Sequence, residues 1–389
     1  MYVGGGFETA GGISANNIAK YSTITNTWSA LGSGLNGSPY ALALIGSDLY
    51  VGGWFSKADG FTVNNIAKYS TTNNTWSALG SGMNNLIYTL AVYGDELYAG
   101  GYFTTPANKI AKWSTLDNAW SALGTENSEF THVFVLKISG SDLYAGGSTQ
   151  YGSPTFKNIA KYSITNNTWS ALGTGVNSEV RAITVDGSNV YVGGYFTTAG
   201  GNNANRIAKW NGSSWSNLGD GILTTSNGVL SLLLYNSNLY IGGIFHTAGG
   251  VTANNIAKYS ISGENYSSLT TGGTNGTNGN VNAIAIIGSD YYFGGEFTSV
   301  KGGTLSANRI AKWNATEGWS ALGSGLNNWV KAFAVMGTDL YVGGDFTEAG
   351  GISANRITKW NATEGWSALG SGLNSTVNAL AVSGTELYV

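Results

Sequence analysis

Residues 340–386 read LYVGGDFTEAGGISANRITKWNATEGWSALGSGLNSTVNALAVSGTE, and close variants of this stretch occur eight times along the chain. The copies begin at Met1, Leu49, Leu97, Leu143, Val190, Leu239, Tyr291 and Leu340. Residues 387–389, LYV, then open a ninth copy. Self-similarity at a period of about 48 residues indicates a propeller or a solenoid, because a single repeat cannot bury its own apolar faces.

Each repeat contains four short strand signals. Around the third copy these are residues 88–93, 97–103, 109–113 and 119–123, which are rich in aromatic and β-branched residues and bounded by Gly, Asn or Ser. We label the four strands A to D in that order. No stretch shows a sustained helical period with caps, so we expect almost no helix.

Four antiparallel strands in each of eight repeats predict an all-β fold, an eight-bladed β-propeller that forms a single domain over residues 1–389. The first copy begins at strand B, so its strand A must come from the C-terminal end, near residues 377–383. The ring is therefore predicted to close with strands B, C and D from the N-terminus and strand A from the C-terminus. The first and the ninth LYV-type segments would then compete for one position.

Composition excludes several classes of function. The net charge is −3 and only 10 % of the residues are charged, so nothing favours nucleic acid or an anionic membrane as a partner. No apolar run is long enough for a membrane span, and no membrane insertion is expected. The chain has no cysteine and only two histidines, His132 and His246, so we expect no metal site and no cofactor.

The Gly-Gly pair after strand B and the tryptophan of strand D resemble kelch-type repeats of the galactose-oxidase superfamily. The longer pattern GGxFT…NIAKW…WSALGSG is similar to secreted repeat proteins of environmental bacteria and to the luminal propeller of fungal cortical polarity-marker proteins. The resemblance implies a propeller and a location outside the cell or at the cell surface, although the chain shows no signal peptide. It does not imply galactose-oxidase chemistry, because that copper site needs a cross-linked cysteine.

Candidate binding residues are those that depart from the repeat. The D–A and B–C connections of a blade lie on one face, and they vary more than the short turns opposite. The residue that opens strand A varies in chemical type among the copies, as does the x of GGxF. Aromatic and polar side chains beside a concave mouth suit the capture of carbohydrate or peptide. The predicted ligand-binding residues are Tyr40, Trp54, Tyr88, His132, Arg181, Trp329 and Lys331.

A binding role is therefore expected: a non-catalytic extracellular or cell-surface module for adhesion, or for recognition of a glycan or protein partner on the D–A and B–C face. It could also be part of a larger assembly, with further domains attached. One alternative is a lyase- or glycosidase-like enzyme, in which Glu296 and Asp345 would act as an acid–base pair at roughly 5–9 Å. Another is an excised or engineered repeat array without native activity.

Overall fold

The computed structural model describes residues 1–124, 129–150, 156–224, 228–269 and 276–382. Within these ranges the chain is all-β, and its helical residues belong to 3-10 turns such as Lys301–Gly303. The longer strands form eight four-stranded antiparallel sheets, and short strands form further two- and three-stranded sheets, such as the B–C hairpin of Lys57–Ala58 and Phe61–Thr62. The chain divides into two compact units, which we call the terminal unit (Met1–Gly82 and Thr277–Val389) and the middle unit (Met83–Gly276).

The terminal unit contains four sheets, numbered 1, 2, 7 and 8 by their order along the chain. In the order A, B, C, D their strands are Val377–Ala381, Tyr2–Gly5, Ile18–Ser22 and Thr27–Ala30 in sheet 1; Pro39–Ile45, Asp48–Gly53, Ile66–Ser70 and Thr75–Ala78 in sheet 2; Val281–Ile287, Asp290–Gly295, Ile310–Asn314 and Gly318–Ala321 in sheet 7; and Val330–Met336, Asp339–Gly344, Ile357–Asn361 and Gly365–Ala368 in sheet 8.

The middle unit contains sheets 3 to 6. Their strands are Ile87–Tyr93, Glu96–Gly101, Ile110–Ser114 and Ala119–Ser121 in sheet 3; Phe130–Ser139, Asp142–Thr149, Ile159–Ser163 and Thr168–Ala171 in sheet 4; Val180–Asp186, Asn189–Gly194, Ile207–Trp210 and Trp215–Asn217 in sheet 5; and Val229–Tyr235, Asn238–Gly243, Ile256–Ser260 and Asn265–Ser267 in sheet 6. The prediction of an all-β chain with four antiparallel strands in each repeat is confirmed.

The two ends of the chain share sheet 1. Val377–Ala381 pairs with Tyr2–Gly5 in antiparallel register, with Val3 opposite Leu380. The N-terminal segment therefore occupies the strand B position, and the C-terminal segment supplies strand A. The competing LYV segment of the ninth copy belongs to residues 383–389, which lie outside the described residues.

Consecutive sheets within each unit pack through the Gly-Gly pair at the end of strand B. A Cβ on Gly343 of sheet 8 would lie 2.5 Å from Cγ1 of Val377 in sheet 1, and one on Gly344 would strike the Trp329 carbonyl oxygen. Only glycine allows both approaches. The Phe two residues later is fully buried, as Phe346 is. The core thus consists of clusters that each span two neighbouring sheets.

Two repeated side-chain bonds fasten consecutive sheets to one another within each unit. The strand D tryptophan packs against the strand C aromatic and donates its indole N–H to a leucine carbonyl of the preceding repeat. Such bonds are made by Trp28, Trp76, Trp169, Trp215 and Trp366. The asparagine of the GLN-type motif accepts from two successive backbone N–H groups of the B–C segment. These asparagines are Asn36, Asn84, Asn177, Asn278, Asn327 and Asn374.

The lysine of IAKY and IAKW has a structural partner at the sheet surface in most repeats. Its ammonium group pairs with the acidic residue that opens strand B, as Lys68 does with Asp48 at 3.1 Å and Lys161 with Asp142 at 3.0 Å. Lys20 instead lies 6.0 Å from the centre of the Tyr2 ring. These lysines therefore serve the sheets and do not form a free basic surface.

Candidate functional site

A β-bulge presents one variable side chain at the start of strand A. In sheet 5 the pairing register shifts between Val180 and Ala182, so Arg181 has no partner across the ladder. The register shifts in the same way at Tyr88 in sheet 3, Leu230 in sheet 6 and Lys331 in sheet 8. A bulge re-aims its extra side chain and frees it from cross-strand packing. This backbone feature explains why the position changes chemical type while the residue before it stays apolar.

The equivalent residue of sheet 4 is Phe134, so the alignment that placed His132 in this set is wrong. The register shifts between Val133 and Val135, which isolates Phe134. Phe134 lies twelve residues before the first glycine of its Gly-Gly pair, as do Tyr88 and Arg181 before theirs. The sheet 4 hairpin is longer than the others at this end, and His132 lies on the extension, opposite Ser148.

His132 nevertheless lies in the same cluster, within a stack of rings in the middle unit. Its imidazole is parallel to the Tyr102 ring, with centroids 4.4 Å apart and an angle of 6°. It also stacks on Phe134 at 5.6 Å and 12°. The Tyr88 ring packs against Phe134 at 5.6 Å in a tilted arrangement. The structure thus brings Tyr88, His132 and Arg181 together around Phe134, which contacts all three.

Charged groups flank this stack on two sides. The Arg181 guanidinium lies 3.7 Å from the centre of the Phe134 ring and 5.2 Å from that of Tyr195. It is held by Glu179, whose Oε2 accepts from both Nε and Nη2. At the other end, the Lys109 ammonium lies 4.5 Å from the centre of the Tyr102 ring and donates to the Tyr102 carbonyl at 3.0 Å.

These side chains surround an open cavity of about 640 Å³, which we call the middle-unit cleft. Its lining residues are Tyr88, His132, Phe134, Glu179, Arg181 and Leu230. Its volume lies within the range of small-ligand sites, and its walls combine aromatic faces with a few polar groups, as such sites usually do.

The cleft favours the neutral form of its histidine. Burial in the ring stack lowers the pKa of His132 below its ordinary value of 6.5, and the positive charges of Lys109 and Arg181 act in the same direction against the opposing effect of Glu179. Burial also lowers the pKa of Lys109. The imidazole nitrogen Nδ1 is 3.3 Å from the Thr131 hydroxyl and 3.4 Å from that of Ser148.

The other four predicted residues belong to the terminal unit. Trp54 is 61 % exposed, Tyr40 41 % and Trp329 44 %, each at the end of its sheet where strand A begins. The Lys331 ammonium pairs with Asp345 at 3.1 Å. Among the described contacts, none joins the first three rings to one another, so this unit offers separate exposed aromatics rather than a second stack.

The two carboxylates proposed as an acid–base pair each have their own partners. Asp345 binds Lys331 and accepts a hydrogen bond from the Thr376 hydroxyl. Glu296 accepts from the Asn280 amide at 3.1 Å. Within the described residues, no group of three His, Asp or Glu side chains could hold a metal ion.

Sequence reasoning missed a correlation between two variable positions. The residue before strand C has a left-handed backbone in all eight sheets. It is Asn where the x of GGxF is Gly, Trp, Ser or Ile, and Lys or Arg where x is Tyr, Glu or Asp. In sheets 3, 7 and 8 the cation donates to the carbonyl of that x residue, as Lys109 does to Tyr102. The correlation identifies Lys109 as a partner of Tyr102 from sequence alone.

No protein-family model matches the chain, and no curated protein matches it in sequence. Among solved structures, it is similar to the crystal structure of the computationally designed Ika8 protein, with a TM-score of 0.58 and 15 % identity over 89 % of this chain and 91 % of that one. A chain in the crystal structure of the mitotic checkpoint complex gives a TM-score of 0.48 at 13 % identity, over 78 % and 82 %. The first likeness concerns the fold alone and supports a β-propeller-like all-β repeat structure. Within the described residues, no helix is long and apolar enough to cross a membrane.

Proposed function

We propose that this protein is a non-catalytic binding module that holds its ligand in the middle-unit cleft. The observation that carries the proposal is the convergence of four side chains from three different sheets: Tyr88, His132, Phe134 and Arg181. All four lie on a bulge or on the hairpin extension of sheet 4, outside the regular ladder of their sheets. Aromatic rings fixed on strands form a rigid platform, which lowers the entropy cost of binding.

The chemistry of the cleft favours binding over catalysis. Its carboxylate, Glu179, is engaged by two nitrogens of Arg181. General acid–base hydrolysis of a glycoside needs two carboxyl groups on either side of one bond. In the terminal unit, Glu296 and Asp345 are each held by neighbouring side chains. These contacts support the binding hypothesis against the lyase- or glycosidase-like alternative.

We also propose that the eight sheets are the blades of one closed propeller, exported to the cell surface or beyond, where it serves in adhesion or recognition. The support for closure is the shared sheet 1, in which Val377–Ala381 pairs with Tyr2–Gly5. A particle image from electron microscopy with eight-fold pseudo-symmetry would agree with this arrangement, whereas any other blade number would exclude it. Fractionation of the native cells would test the location.

A glycan and peptide array tests the binding role directly. We expect the wild-type protein to retain a ligand that Tyr88→Ala loses. Phe61→Ala is the matched control, because Phe61 is an exposed aromatic (66 %) on a B–C hairpin of the terminal unit. Trp54→Ala distinguishes the two units, since binding that depends on Trp54 and not on Tyr88 would move the site to the terminal unit. The absence of any ligand across the array would refute the proposal.

A further inference from the structure

We infer that the middle-unit cleft selects saccharides that carry a carboxylate, that is, short uronate oligomers. This inference rests on the proposed function and names the class of its ligand. The charges that act on His132 in the cleft are two cations, Arg181 and Lys109, against one carboxylate, Glu179. An excess of positive charge beside low-dielectric walls concentrates anions.

Arg181 has the geometry of a preformed carboxylate receptor. Its guanidinium plane is fixed by the Phe134 ring at 3.7 Å and by Glu179, which takes up Nε and one side of Nη2. The described hydrogen bonds leave the edge of Nη1 for a ligand. A planar guanidinium with a free edge binds a carboxylate through two parallel N–H bonds, and it remains charged at any physiological pH.

Lys109 adds a positive charge that no acid neutralises among the described ion pairs. The residue is only 7 % exposed, yet its ammonium contacts a carbonyl and a ring rather than a carboxylate. Most other lysines with a described partner in these sheets face an acidic residue. Lys109 lies one ring away from His132, since Tyr102 contacts both.

The aromatic walls favour a sugar ring over an extended acidic peptide. The Tyr88 ring lines the cleft beside the apolar Leu230, and an aromatic face of this kind suits the C–H surface of a pyranose. The cavity of about 640 Å³ is the size of a small-ligand site. A stable protein–protein contact would instead bury about 800 Å² on each partner. A uronate ring stacked on Tyr88 would place its own carboxylate beside Arg181, because the Tyr88 and Arg181 side chains both contact Phe134.

The test compares ligands that differ only in charge. Calorimetry at pH 7.5 and low salt measures the affinity of trigalacturonate, triguluronate and triglucuronate, each beside its methyl ester, together with a hexaglutamate peptide. We expect at least one free acid to bind ten-fold or more tightly than its ester. The difference should shrink in 0.3 M salt, since the Debye length falls well below 10 Å above about 0.1 M.

Two variants identify the receptor. Glu179→Gln combined with Arg181→Gln removes the guanidinium without changing the net charge of the cleft, and it should reduce the affinity for the acid to that for the ester. Arg309→Gln is the control, because it removes one guanidinium from the terminal unit, where that group bonds to a backbone carbonyl. It should leave the preference for the acid unchanged. An unaltered near-ultraviolet circular dichroism spectrum would show that each variant is folded.

The outcomes separate this inference from the proposed function. If acid and ester bind equally and Tyr88→Ala abolishes both, the cleft is a binding site but the charge selection is wrong. If hexaglutamate binds more tightly than every uronate, the ligand class is an acidic peptide rather than a saccharide, and the inference is overturned. If none of these probes binds to the wild-type protein, the uronate class is excluded, and the array alone then decides the proposed function.

Discussion

Trp28 links the first strands of the chain to its last repeat, and its substitution measures how firmly the two ends are joined. The indole N–H donates to the Leu369 carbonyl at 2.7 Å, across 341 residues of sequence. Trp366 makes the same bond to Leu322 at 2.8 Å, across only 44 residues. We expect Trp28→Phe and Trp366→Phe to destabilise the protein equally, because the folded contacts are alike.

The magnitude follows from what phenylalanine keeps and loses. A benzene ring can still pack on Tyr21, whose centroid is 5.0 Å from that of Trp28, just as Trp366 packs on Trp360 at 5.0 Å. The lost hydrogen bond costs about 0.5–1.5 kcal/mol. The smaller ring gives up about 1 kcal/mol of buried apolar surface. We therefore expect about 2 kcal/mol for each variant, or about 4–8 °C in Tm for a cooperative unit of roughly 200 residues.

Differential scanning calorimetry of the two variants beside the wild type provides the measurement. Equal decreases in Tm would show that the junction between the chain ends is as well formed as an internal one. A decrease of under 1 °C for Trp28→Phe, beside the full decrease for Trp366→Phe, would mean that the ends separate before the rest unfolds. That result would refute the shared first sheet as a stable element.

Three further predictions concern stability. Deletion of residues 377–389 should lower Tm sharply, because it exposes Tyr2–Gly5 as an unpaired edge; an unchanged melting curve would contradict the terminal pairing. Phe134→Leu should cost about 1–2 kcal/mol in urea titration through lost ring and cation contacts, and a neutral result would contradict the stack. Because folding lowers the pKa of His132, the unfolded chain binds its proton more readily. Stability should therefore fall as pH drops below about 6.5, more in the wild type than in His132→Gln, and parallel pH profiles would exclude this role.

The strands were predictable because the repeat restates each signal eight times. Alternation, Gly-rich turns and constant spacing gave the position of all four strands in each sheet, and the incomplete first copy gave the terminal pairing. Treating all eight copies as equivalent caused the error at His132. An alignment that starts from the first residue of each strand A segment does not detect that one hairpin is two residues longer. Counting back twelve residues from Gly146 would have selected Phe134 instead.

The contents of the cleft were only partly predictable. Tyr88 and Arg181 were found because they vary where the repeat is otherwise constant. Glu179 was not selected, because its role depends on the orientation of the Arg181 side chain. The stacking of Tyr102 on His132 joins strands from different sheets, and no local pattern contains that contact.

The bulge at the start of strand A separates the demands of folding from those of recognition. A residue such as Arg181 is not paired with a residue of the neighbouring strand. Val180 and Ala182 on either side of it are paired and buried, and they pack in the core. Substitution at such a position changes what the surface displays without changing what holds the sheet. The chain therefore carries an interchangeable display position in each repeat, and new specificities could be assembled there by exchanging single residues within an unaltered framework.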